Sequence, residues 1–497
     1  MAEKSYNDKN GNSVAKKQYL YGNDGNIAVT VDFASDSYTR YSYDLSGRTA
    51  SIREYSGTDL SSNIPISYTE YKYADKTNYL TNVKHFSPLG TQNIAYNYGN
   101  INNGQMPDQV YSISWNGVNK LENSFDALSR LTTRKVNGLA TNYTYKDIGE
   151  NQTTTLVKSI ETSGITHTYE YDTLGNITSI YDGSKTTTYK YDDLNQLVRA
   201  DNPYENKTHI YIYENGNITE DKVYAYTAGT SEPTNLKYTV KYSYSNEKWA
   251  DVLTGVEKVY PQNSVNTQSL EQDNTPEIAA RLLGENAQSY DLKSRLSLTS
   301  KISTLSDNGY YAVTSDEIGN ITSYKGSTYT WVGRQLKSVS NEDYTSTFSY
   351  NSDGLRIGKT ISVNGDSTYN YEYYYNGDIL SGYKLVITES DGSSTTHNVT
   401  FMYDENGEAF GFNYNGNNYY YIRNAQNDVV FITDSDNIGV VLYQYDAWGN
   451  ITNCVDASDG GMVSHALLPQ WNEKHDGVHY APGAFVPEPW NSIYFGD

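Results

Sequence analysis

Polar and apolar residues alternate along most of this chain, in short runs where Tyr, Thr, Val or Ile takes every second position and Asp, Gly or Asn ends the run. A period of two marks a β-strand with one buried face, and these residue types favour strands over helices. The runs follow a unit that reads aromatic, any residue, Tyr-Asp, two residues, Gly, then Asn or Arg, then an aliphatic residue, recurring about every twenty residues. Its clearest copy runs from Tyr169 through Tyr171, Asp172, Gly175 and Asn176 to Ile177. Close copies run from Tyr41 to Arg48, from Tyr189 to Leu197 with Asn195 in place of the Gly, and from Tyr443 to Ile451. Weaker ones begin at Tyr19, Phe125, Tyr145, Tyr211, Phe348 and Met402.

The spacing has a local cause. Asp at the first position of a tight turn accepts a hydrogen bond from the backbone ahead, and Gly three residues later takes the left-handed conformation that closes the turn. The expected structural turn residues are Asp44, Gly47, Asp172, Gly175, Asp192, Asp316, Gly319, Asp353, Gly354, Asp404, Gly407, Asp446 and Gly449. Each unit is then a hairpin. Alternation predicts Tyr169 and Tyr171 on one face and, beyond the turn, Ile177 and Ser179 on one side with Asn176 and Thr178 on the other. A lone hairpin is unstable in water, so units must pair edge to edge, and the twist of a long sheet curls such an array. The fold class expected is all-β, a long antiparallel β-hairpin repeat ribbon.

Two stretches depart from the repeat. Between Gly255 and Ala312 the turn signature vanishes and Asn, Gln and Ser become dense; within it Thr275–Gly284 has a cap residue, Pro at the first helical position and a closing Gly, predicting a short helix. After Asn453, Gly-Gly, prolines and histidines replace the strand pattern, as in a loop or tail. The domain plan is therefore a lead-in over 1–18, repeats over 19–254, an insertion over 255–312, repeats again over 313–453 and an irregular tail over 454–497.

Composition sharpens this picture in one respect: tyrosine supplies 52 residues against 10 Phe and 6 Trp, so the buried surface carries hydroxyls that each need a partner. A formal net charge of −22 opposes binding of nucleic acid or anionic membrane, and suits a large soluble β surface. One cysteine, Cys454, excludes a disulfide framework within the chain. No apolar run reaches the ~20 residues of a membrane-spanning helix, and residues 1–8 lack the apolar core of a signal peptide.

Candidate chemistry is sparse. His465, Glu473, His475, Asp476 and His479 are residue types that bind zinc, but Asp476-Gly477 and Pro482 oppose the helix that would align His475 with His479. Paired carboxylates about 5–10 Å apart would serve glycoside cleavage, yet the turn already explains the repeated Asp. The Gly-Asn-Ile-Thr sequons at Asn176, Asn217, Asn320 and Asn450 read out the exit from the turn. Cys454 has no histidine motif beside it and is expected to be an ordinary thiol. No catalytic, cofactor or metal site is expected.

Longer signatures extend beyond the simple repeat: Trp249–Thr254, Trp331–Leu336, Tyr350–Arg356 and above all Tyr419–Val429, continuing to Tyr445-Asp446-Ala447-Trp448-Gly449. Over residues 19–453 the chain resembles the YD-repeat region of Rhs proteins, wall-associated bacterial toxins, the shell component of ABC toxin complexes and the animal teneurins. The resemblance implies a ribbon spiralling into a hollow YD-repeat shell that encloses an attached C-terminal toxin polypeptide, with a possible shell-capping protein as a further partner. It implies a secreted or cell-surface location as part of a longer protein, and a role in interbacterial competition. Many bacterial members release their cargo through paired Asp-Pro motifs after the last repeat. None follows Asn453 here, so no self-cleavage residue carries over and no enzyme activity is expected. The alternative is a surface adhesion module whose exposed tyrosine ladders bind glycans or a protein partner.

Overall fold

The computed structural model describes residues 2–7, 13–150, 152–229, 231–245, 252–261, 289–290, 309–351 and 353–456. The expected helix over 275–284, Trp249 and the tail histidines lie outside the described residues. Strands dominate what is described, and they pair antiparallel with their neighbours in sequence, as in Ser37–Tyr43 with Thr49–Ser56 and Tyr344–Tyr350 with Arg356–Val363. The only described helix is one 3-10 turn, Ile101–Asn103. The fold class is the all-β hairpin ribbon that the period of two predicts.

Each repeat hairpin carries a register break that simple alternation misses. Tyr171 faces Ile177 across the ladder, but the next residue back, Glu170, faces Ser179, so Thr178 is an extra residue on the returning strand. Ile177 therefore shares a face with Tyr171, and Ile180 with Tyr169, while Ser179 goes to the opposite side with Glu170. The expectation that Ile177 and Ser179 share a side is corrected by this β-bulge, which shifts the pleat by one residue. The same break separates Ser42 from Tyr43, Lys190 from Tyr191, Met402 from Tyr403 and Gln444 from Tyr445. It explains why aliphatic residues after the turn recur at a spacing of three, as in Ile177 and Ile180, rather than two.

The chain divides into two compact units. The first takes Met1–Gly138 and Tyr329–Tyr420, and its main core joins Val83, Ile94, Ile113, Trp115 and Leu121 from the earlier segment to Met402, Phe410 and Tyr420 from the later one. A smaller cluster of Val31, Tyr38 and Tyr55 includes two rings stacked 4.8 Å apart. The second unit takes Leu139–Thr328 and Tyr421–Leu468. Its cores are Ile422, Phe431, Leu442 and Val455, and separately Leu197, Ala200, Tyr211 and Ile218, against which Trp448 packs. Two buried tyrosines show how the hydroxyls are used: that of Tyr38 donates to the Ser62 carbonyl, and that of Tyr420 accepts from Lys120 Nζ at 2.6 Å. Among the described residues no helix is long and apolar enough to cross a membrane.

Candidate functional site

The turn machinery can be read atom by atom. Asp172 Oδ1 accepts from the backbone N–H groups of Leu174 and Asn176, each at 2.9 Å, and its backbone N–H donates to the Asn176 carbonyl at 3.0 Å. Gly175 closes the turn at φ +90°. The same pattern recurs at Asp44, Asp192, Asp316, Asp404 and Asp446. The glycines Gly47, Gly319, Gly407 and Gly449 share the left-handed conformation, and Ser129, Asn195, Asn427 and Asn437 adopt it at the equivalent place.

The alternation of Asn and Arg at the fifth position now has a cause. Asn176, Asn320 and Asn450 each donate Nδ2 to the second carboxylate oxygen of their turn Asp at 2.8 Å, and Arg48 and Arg130 donate Nε to it at 2.7 Å. Both side chains place an N–H where that oxygen waits. Hydrogen bonds to Asn176 hold the exposed Asp172 below the usual carboxylate range, whereas burial pushes Asp446 up to about 6.

One expected turn residue is displaced. In the copy near residue 350, Asn351 accepts the two backbone hydrogen bonds, from Asp353 and Leu355, while Asp353 sits two residues later and pairs with the buried Lys17. Gly354 keeps its closing role at φ +88°.

A feature the sequence reading missed joins many of the repeats to their predecessors. The tyrosine just before the turn donates its hydroxyl to the carbonyl of the residue that opens the preceding returning strand. Tyr43 donates to Ile27 at 2.9 Å, Tyr73 to Thr49 at 3.0 Å, Tyr191 to Ile177 at 3.1 Å, Tyr213 to Leu197 at 2.9 Å and Tyr375 to Arg356 at 2.8 Å. Each acceptor stands at a register break, where the bulge takes a carbonyl out of the regular ladder. The recurring tyrosine before the turn, replaced by Phe125 and Ser315 in two copies, was the available signal: a hydroxyl at a repeated place calls for a repeated partner.

Polar clasps then tie distant segments within each unit. In the first, Tyr71 donates to Asn376 at 2.6 Å, Arg134 donates to Asp404 at 2.6 Å, and His85 bridges Thr69 at 2.9 Å to Ser381 at 3.0 Å. In the second, Tyr169 accepts from the Ala425 N–H at 3.2 Å, Asn202 donates to the Tyr445 carbonyl at 3.3 Å, and Trp448 meets Tyr211 edge to face at 5.3 Å.

The second unit also holds a cavity of about 150 Å³ between the strands spanning 160–204 and those spanning 422–446. Ile165, Ile180, Tyr169, Tyr189, Phe431 and Leu442 supply an apolar wall; His167, Asp182, Asp428 and Asp446 supply titratable groups. Among the described residues no cluster of His, Cys, Asp and Glu has the arrangement of a metal site, and Cys454 is buried in the strand Ile451–Asp456.

Comparison with known proteins agrees with this geometry. The RHS Repeat family model matches residues 171–206, which hold the Asp172 and Asp192 turns. The chain is 34% identical over 188 residues to the tRNA3(Ser)-specific nuclease WapA of Bacillus spizizenii, and 33% identical over 190 residues to the tRNA nuclease WapA of Bacillus subtilis strain 168. Each match takes in 37% of this chain but 8% of the relative. The crystal structure of TcdB2-TccC3-Cdc42 superposes with a TM-score of 0.50 at 15% identity, over 91% of this chain and 25% of that one. In its repeat chemistry and in these likenesses the chain resembles Rhs, or YD-repeat, proteins.

Proposed function

We propose that this chain is the YD-repeat shell segment of an Rhs-type polymorphic toxin or related exported protein, and that it encloses or presents an attached C-terminal polypeptide in interbacterial competition. The observation that carries the reading is the repeated stitching of the ribbon: the repeat turns are fixed by their own carboxylate or amide, and many repeats are bonded by a tyrosine hydroxyl to the one before. Such a wall is built to hold shape, and its repeated polar groups bond the backbone rather than face a substrate. On this reading the turn residues are structural, residues 19–254 and 313–453 form the wall around an insertion, and nuclease activity such as that in the relatives' names belongs to an attached polypeptide. A capping protein is a further partner on the same grounds.

The test is a fusion of a small folded reporter after residue 497, digested with a broad-specificity protease beside the free reporter. Protection of the fused reporter, with a closed particle in electron micrographs, is expected. Digestion at the free reporter's rate would remove enclosure from the proposal.

A further inference from the structure

The cavity of the second unit contains groups that neither the turns nor the clasps use. Tyr189 is partly buried, and its hydroxyl has no hydrogen-bond partner among the described residues; the same is true of the His167 ring. Asp428 gives one carboxylate oxygen to Asn424 Nδ2 at 2.9 Å, and its other oxygen has no partner among the described residues. These three groups line a space whose wall mixes isoleucine, leucine and aromatic rings with polar side chains such as Thr162, Thr187, Asn202 and Gln444. Each therefore keeps hydrogen-bonding capacity to offer an occupant of the cavity.

Size and charge restrict what fits. A cavity of about 150 Å³ has room for one benzene-sized ring. The wall carries Asp182, Asp428 and Asp446 against one cation, Arg423, whose guanidinium is already bonded to the Asn427 carbonyl at 2.6 Å and lies over the Tyr421 ring. Burial holds His167 below its ordinary pKa, so it adds no positive charge at neutral pH. Asp182 is bonded to the backbone of Ser184 and Lys185 and accepts from Tyr204, and Asp446 is engaged in its own turn, which leaves Asp428 to meet a ligand. An anion would face uncompensated carboxylates; a cation beside aromatic faces gains from both.

We propose that this cavity is a binding site for a small single-ring aryl-alkyl ammonium compound, whose ring sits among Tyr169, Tyr189 and Phe431 and whose ammonium group donates to Asp428. The site is independent of whether the chain encloses a polypeptide.

Benzylamine, toluene and benzoate, titrated into the full chain at pH 7.5 and followed by calorimetry and saturation-transfer NMR, test it. Saturable one-site binding of benzylamine is expected, at least about tenfold tighter than toluene, with no binding of benzoate. Asp428→Asn, which keeps the shape and an acceptor for Asn424, should weaken benzylamine about tenfold and leave toluene unchanged. Tyr189→Phe should weaken it by a smaller factor. Absence of saturable binding, equal affinity for toluene and benzylamine, or an Asp428→Asn variant that folds and binds unchanged would overturn the proposal. Amide exchange across 160–204 serves as the check on folding.

Discussion

Replacing Tyr213 by phenylalanine removes one oxygen and leaves the ring. That oxygen donates to the Leu197 carbonyl at 2.9 Å, at the point where the ladder slips from the Tyr191–Leu197 pair to the Lys190–Arg199 pair. The ring packs against the cluster of Leu197, Ala200, Tyr211 and Ile218, so the variant keeps its apolar contacts. What is lost is the bond between adjacent repeats, and the carbonyl left without it lies in a partly buried place. An unsatisfied buried acceptor costs about 1–3 kcal/mol, and partial exposure at this site puts the expectation at about 1–2 kcal/mol, a factor of roughly 5–30 in the local opening equilibrium. Repeat arrays need not unfold in one step, so native-state amide exchange is the suitable assay. Protection should fall in the strands Leu197–Asn202 and Lys207–Glu214 and stay unchanged in the first unit. Tyr21→Phe is the control, since its ring is 50% exposed and its hydroxyl has no partner among the described residues; its effect should stay within about 0.5 kcal/mol. Equal responses in the two variants, or a loss spread over both units, would refute the idea that this hydroxyl is a stitch.

Other perturbations address the turn and the clasps. Asp172→Ala removes the acceptor of three hydrogen bonds and should loosen its hairpin by about 1–3 kcal/mol, whereas Asp172→Asn, which imitates Asn351, should cost less than half as much; exchange at Leu174 and Asn176 reads both. Gly175→Ala places a side chain at φ +90° and should cost on the order of 1–2 kcal/mol by the same measurement, while Asn195→Gly should be neutral or stabilising. His85, buried between Thr69 and Ser381, has its pKa pushed down to about 4 by burial. A folded pKa below the unfolded one means that the stability it contributes is complete above about pH 6.5 and is lost as the pH falls towards 4, on the order of 3 kcal/mol. His85→Gln should flatten that acid limb in the first unit, as followed by exchange against pH. His209 has the opposite sign: burial alone would lower it, but Asp221 at 3.0 Å and Glu205 at 3.5 Å hold it up to about 10. Its contribution is complete below about pH 6.5 and fades as the pH rises through 10, so His209→Gln should weaken the second unit at neutral pH and spare it above pH 10.

The hairpins were legible in the sequence because their cause is local: an acceptor, a left-handed residue three places on and flanking alternation are all written within ten residues. The bulge was not, since the pleat shift follows from how a five-residue turn meets a twisted ladder, and no single residue type marks it. Near residue 350 the Asp353-Gly354 pair suggested the wrong phase; Asn351 does the accepting because an amide oxygen serves as well as a carboxylate there. The clasps were out of reach for a different reason. Lys17 and Asp353 are 336 residues apart, and their pairing depends on how far the ribbon has travelled between them. The cavity shares that origin, its walls coming from two segments more than two hundred residues apart in sequence.

The hydroxyl stitch has a consequence for how a gene of this kind can change length. Because the stitching tyrosine reaches only to the start of the returning strand of the hairpin before it, a duplication or loss of one whole unit leaves the surviving stitched junctions with the same donor and acceptor. Insertion of a single codon within a strand instead turns the phenol to the opposite face and severs that junction. Length can therefore drift in steps of a full repeat, while point insertions between turns are expected to be purged.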